Sequence, residues 1–105
     1  MQIIPLQSVP AQTVMATLAG QLAQIDLRQR AYGLHLDLRV NGTLLVAGAI
    51  CQDRNLIVRS AYIGFIGDLC FIDTQGTDDP TYEGLGVRFG LAYIEASEVA
   101  QSGMT

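Results

Sequence analysis

Between Gly33 and Ile50 the chain reads GLHLDLRVNGTLLVAGAI, with Leu34, Leu36, Leu38 and Val40 alternating with His35, Asp37 and Arg39 ahead of Asn41-Gly42. A period of two marks a strand with one covered face, and Asn-Gly supplies the positive φ angles of a tight hairpin turn. The stretch predicts a β-hairpin. Its return strand, Thr43 to Ile50, is almost continuously apolar, so both of its faces are expected to be covered, as in a central strand or one at a subunit interface. Upstream, Thr13 to Ala19 and Leu22 to Arg30 flank Gly20-Gln21, and Ala23, Ile25 and Leu27 alternate with Gln24, Asp26 and Arg28. This pattern predicts a second hairpin, after which RQRAYG turns the chain with Gly33 as the pivot.

Farther along, CQDRN reads as a polar loop, and LIVR and AYIGFIG as short apolar pieces bent at their glycines. DLCFID and LGVRFGLAYIE are the last two predicted strands, the second presenting Leu85, Val87, Phe89, Leu91 and Tyr93 on one face. No helical period persists long enough to predict a helix, and the tail at 95–105 is expected to form one helical turn or to be flexible. Residues 1–94 then make a single β domain. About six to eight short antiparallel strands with no helix to cover them must close into a small β-barrel or pack as a β-sandwich, so the fold class is all-β.

Composition changes the picture in one respect. Half of the 105 residues are apolar and 15% are charged, against about 25% charged in a typical soluble domain. So little charge predicts burial against other copies or other proteins, that is, an assembly subunit. The net charge of -4 argues against binding nucleic acid or an anionic membrane, both of which select basic faces. The opening MQIIPLQSVPAQ lacks a positive leader and carries Pro5 and Pro10 where a signal peptide needs its apolar stretch. A protein kept in the cytoplasm until assembly is expected. Cys51 and Cys70 lack zinc or redox spacing and read as reduced, packed thiols.

Candidate chemistry concentrates in FIDTQGTDDPTYEGLGVRF, where Asp73, Asp78, Asp79 and Glu83 crowd among glycines. The stretch fails as an EF-hand, because its glycine and terminal glutamate fall out of position and no helix pair flanks it. A looser set of oxygen ligands and a shaped connection between strands are the readings that remain. The connection asks for less: Asp73 and Asp79 cap backbone amides, Gly76 takes positive φ, Asp79-Pro80 starts a turn and Arg88 faces the carboxylates, with Gly84 and Gly86 shaping the exit. The same residues are candidate subunit contacts. His35, the one histidine, lies on the polar face of a strand without a partner for a triad. No phosphate-binding glycine loop is present, and Tyr62, Phe65, Phe71, Phe89 and Tyr93 sit at strand spacing as packing groups. No catalytic group, metal or cofactor is expected.

The order IPL, LDL with its Asn-Gly hairpin, LLVAG, and then YIGFIGDLCFIDTQGTDDPTYEGLGVRFGLAYI resembles the baseplate plug proteins of contractile-tailed phages, from about Ile4 to Ile94. Gly67, Leu69, Asp73, Gly76, Asp79-Pro80, Leu85-Gly86, Arg88 and Leu91 carry the most specific part of the pattern. GAICQDRNLIVRS departs from it in being more polar than the family's Pro- and Leu-rich connection. The resemblance implies a virion structural component of the tail baseplate hub, plugging the end of the tail tube above the spike and joining rings of different symmetry. Its implied partners are other copies of itself and the tail tube, hub and spike proteins, met during assembly in the host cytoplasm, with neither membrane nor specific nucleic acid among them. Two rivals stand beside it. One is a small β module holding an apolar ligand, which requires a cavity. The other is a metal-assisted hydrolase using the Asp-rich loop, in which substituting Asp73 and Asp79 together would abolish metal uptake and leave folding intact.

Overall fold

The computed structural model describes residues 2–58 and 65–95. Seven strands are present there: β1 (Gln2–Ile4), β2 (Ala11–Leu18), β3 (Gln21–Arg30), β4 (Gly33–Val40), β5 (Thr43–Ile50), β6 (Asp68–Asp73) and β7 (Phe89–Ile94). They form two antiparallel sheets, β2-β3-β4-β5 and β1-β7-β6. Among the described residues no ladder joins the two sheets, so the expected all-β fold is realised as a sandwich and not as a closed barrel. The tail at 96–105, Tyr62 and most of AYIGFIG lie outside the described residues.

The alternating stretches fold as their periodicity dictates. Ile25 stands opposite Leu38 and Leu27 opposite Leu36, and these leucines and isoleucines are fully or almost fully buried. Their polar neighbours Gln24, Asp26, Asp37 and Arg39 face outward and are half-buried. Asn41 and Gly42 turn the β4–β5 hairpin with φ of 51° and 85°, the left-handed pair that a two-residue turn demands. The first hairpin turns one residue earlier than expected, at Ala19-Gly20 with φ of 51° and 77°. Gln21 is drawn into the ladder opposite Leu18 because its buried amide donates to the carbonyls of Leu18 (3.0 Å) and Ile66 (3.2 Å) and accepts from the Ile66 N–H (3.0 Å). No period in the sequence reports a long-range amide contact of that kind.

Ile4, Leu69, Phe71, Phe89, Leu91 and Tyr93 of the three-stranded sheet pack with the inner leucines and isoleucines of the other sheet in one core. Burying a side chain of that size contributes roughly 1.5–3 kcal/mol, so the shared core is the main attraction between the sheets. Phe65 adds an edge-to-face contact with Tyr93, the ring centroids lying 5.8 Å apart. Cys51 and Cys70 are buried free thiols, as expected. Burial pushes their pKa values up to about 12 and about 11, with Asp53 and Asp68 adding to the effect at Cys70.

Two expectations are corrected, and one strand was not foreseen. β5 is an edge strand and not a central one, and its outward residues Leu44, Ala47 and Ile50 are exposed. It is also irregular: the register against β4 shifts twice, and Asp37 accepts the Gly48 N–H (2.6 Å) where the chain bulges. The last strand begins at Phe89, so Val87 is not on its inner face but is 79% exposed. A 3-10 turn at Tyr82–Gly84 followed by Gly86 at φ 80° breaks the extended chain there. Finally, Gln2–Ile4 forms an outer strand on β7, a three-residue piece too short to show a period.

Candidate functional site

The acidic connection between β6 and β7 is organised around Asp73, which ends β6 buried. Its Oδ1 accepts the Gln75 N–H (2.9 Å) and Arg88 Nε (2.8 Å), and its Oδ2 accepts the Asp78 N–H (2.9 Å) and Arg88 Nη2 (2.7 Å). A carboxylate has about four acceptor positions, and these four donors take them all. Arg88 bonds Asp73 through both arms of its fork, donates from Nη2 to Asp78 Oδ2 as well (2.9 Å), and lies over the Phe89 ring at 5.0 Å from its centroid. The Arg88 hydrogen bonds, with those from Gln75 and Asp78, hold the Asp73 carboxyl well below the usual carboxylate range against the opposing effect of desolvation. Arg88 is raised in turn by the same pairing.

A segment from another part of the chain completes the cluster. Asp53 Oδ1 accepts the Asp73 N–H (2.7 Å), and the Asp53 N–H donates to Asp79 Oδ1 (3.0 Å). Arg54, in the left-handed region at φ 58°, pairs with Asp53 and reaches the carbonyls of Gly76 (3.3 Å) and Asp73 (3.4 Å). Thr74 binds the Arg88 carbonyl through both its N–H (2.9 Å) and its hydroxyl (2.6 Å), closing the base of the loop. Four aspartates and two arginines thus spend their charges on one another and on the backbone.

Each residue singled out in the sequence has a definite place. Asp73 caps local amides as expected, whereas Asp79 caps a distant one and Pro80 is buried. Arg88 faces the carboxylates. Gly76 does not take positive φ; it is small because a Cβ would lie 3.3 Å from Asp73 Oδ2 and 3.4 Å from Arg88 Nη2. A Cβ at Gly84 would lie 2.7 Å from the Phe89 ring, and one at Gly86 would collide with the Leu6 carbonyl oxygen. Glu83 stays exposed, its carbonyl accepting the Ser8 hydroxyl (2.8 Å). His35 lies half-buried on the outer sheet face, its Nδ1 3.1 Å from the Gly33 carbonyl. Asp53, Arg54 and Ser8 were not foreseen, because their partners are far away along the chain.

A second buried carboxylate, Asp68, was also missed. Its Oδ1 accepts the N–H groups of Ile57 (3.1 Å), Val58 (2.8 Å) and Leu69 (2.7 Å), clamping the segment after β5 onto the start of β6. Among the described residues no group of three or more His, Cys, Asp or Glu side chains is placed to hold a metal ion. Nor is any helix there long and apolar enough to cross a membrane.

The chain matches the family described as cyanophage baseplate Pam3 plug gp18 over residues 1–96. It belongs to this family. No curated protein matches it. A baseplate plug is a structural component of the virion tail, set among other baseplate proteins. A loop held in shape by the buried Asp73–Arg88 pair accords with that role.

Proposed function

We propose that this baseplate plug closes the end of the tail tube until infection and joins the rings of tube, hub and spike, after assembly in the host cytoplasm. The match to the baseplate plug family over nearly the whole chain carries the reading. The surface supports it. Ile3, Met15, Leu22, Leu44, Ile50, Ile66 and Val87 are exposed in a chain with only 15% charged residues, a surface suited to being covered by neighbouring subunits. The groove of about 370 Å³ beside β1, lined by Ile3, Leu6, Ile72, Val87 and Phe89, is open to solvent and suits an apolar side chain from a neighbour better than an enclosed ligand. Asp78, Asp79 and Glu83, exposed on the acidic connection, are further subunit contacts in this reading. Cryo-electron microscopy of intact tails tests it: density for the chain is expected across the tube end, between hub and spike. Tails that lack the chain there, or that form closed and infective without its gene, would refute the proposal.

A further inference from the structure

The two sheets treat their edges differently. In the three-stranded sheet β1 is three residues long, and β6 is covered by the segment around Asp53 to Ile57, which bridges to Phe71 and Cys70. Both are ordinary protections against strand addition. Among the described residues no strand pairs with the outer edges of β2 and β5, each eight residues long, and neither AQTVMATL nor TLLVAGAI contains a charged residue. The charges of this sheet lie on its middle strands: Asp26, Arg28 and Arg30 on β3, and Asp37 and Arg39 on β4. An edge meant to stay in water carries the reverse pattern, with charge at the rim.

We infer that copies of this plug join head to tail, the β5 edge of one against the β2 edge of the next, in an antiparallel pairing that continues the sheet. This rests on the plug being an assembly of copies and names the surfaces that would make it. A sheet of four antiparallel strands has outer strands running in opposite directions, so β5 and β2 of successive copies meet with antiparallel polarity and equal length.

The ladder alternation identifies the groups that pair. Leu18 and Gln21 close a two-residue turn, so Gln12, Val14, Ala16 and Leu18 bond inward to β3, leaving the N–H and C=O of Thr13, Met15 and Thr17 pointing outward. On β5, Thr43 closes the Asn41-Gly42 turn and the Cys51 N–H bonds Leu34 (2.8 Å), so Leu44 and Ile50 point outward. Met15, Leu44 and Ile50 also expose apolar side chains at these rims. The bulges twist β5 but leave Leu44 and Ile50 directed at the partner. The chain's net charge of -4 repels other copies in general, and two uncharged edges are where that repulsion is least.

Met15→Pro and Leu44→Pro each delete an outward N–H and keep the inward ladder, so both are expected to fold, as checked by circular dichroism and melting. By sedimentation velocity the wild-type chain should assemble beyond a dimer, and each variant should be monomeric. An equimolar mixture of the two should stop at dimers, since one good edge remains on each. Tyr32→Lys, at the β3–β4 turn and away from both rims, should assemble like wild type. Should a proline variant fail to fold, Met15→Asp and Leu44→Asp carry the same expectations. A monomeric wild type, a folded edge variant that assembles normally, or a mixture that stays monomeric would overturn the inference. If the wild type assembles and the edge variants do so equally, only the edge pairing falls. The plug reading is decided separately, by the presence of the chain in the tail tip.

Discussion

Replacing Asp68 by alanine measures how much a buried carboxylate contributes to the fold. It is 3% exposed and gathers three backbone N–H groups on Oδ1. The Ile57 N–H also donates to the Leu69 carbonyl (2.9 Å), so it keeps a partner when the carboxylate is removed. The Val58 and Leu69 amides lose theirs. A buried amide left unsatisfied costs about 1–3 kcal/mol, so the two together make Asp68→Ala cost about 2–6 kcal/mol. That is a large share of the roughly 5–15 kcal/mol by which a domain is stable. Asp68→Asn retains an accepting oxygen for these amides at the loss of charge assistance, about 1 kcal/mol. Urea denaturation of wild type and both variants, followed by circular dichroism, gives the two differences directly. Equal losses in the two variants, or an alanine variant within about 0.5 kcal/mol of wild type, would refute the amide clamp.

The Asp73 carboxyl is held below its ordinary value of 3.8, so its contribution to stability is fully present above that value and is lost as pH falls through the lowered one. Wild-type stability should therefore decline as pH drops below about 4, and Asp73→Asn should flatten the decline; an unchanged slope in melts between neutral and acid pH would contradict the pairing. Gly86→Ala forces φ 80° on a residue with a Cβ, a cost of about 1–2 kcal/mol before the clash with the Leu6 carbonyl is added. Gly90→Ala, with nothing within 4 Å of its Cβ, is the control, and equal melting temperatures for the two would remove the steric account. Cys51 and Cys70, buried with pKa values near 12 and 11, should resist alkylation at pH 8 in the native protein and react fully in denaturant. Rapid labelling of the native chain would show that the thiols are not packed as described.

Local physics made most of the larger sheet legible. The β3–β4–β5 hairpins follow from alternation and from Asn41-Gly42, because side-chain period and turn conformation act over a few residues. The paired roles of Asp73 and Arg88 were visible too, since the loop that separates them returns the chain between adjacent antiparallel strands. What the sequence concealed depends on distance along the chain: Asp53 reaching Asp73 and Asp79, Ser8 reaching Glu83, Gln21 reaching Ile66. Such contacts leave no periodic trace.

By itself, then, the sequence determined an all-β chain with two hairpins, a shaped acidic connection and too little charge for a fully exposed surface. Tertiary structure decided that the sheets stack as a sandwich, that β5 lies at an edge, and that the Asp73 carboxylate is satisfied from within. The reason lies in what an apolar strand encodes. TLLVAGAI requires cover on both faces, but nothing within it says whether the cover comes from the same chain or from another, and only the positions of the other strands answer that.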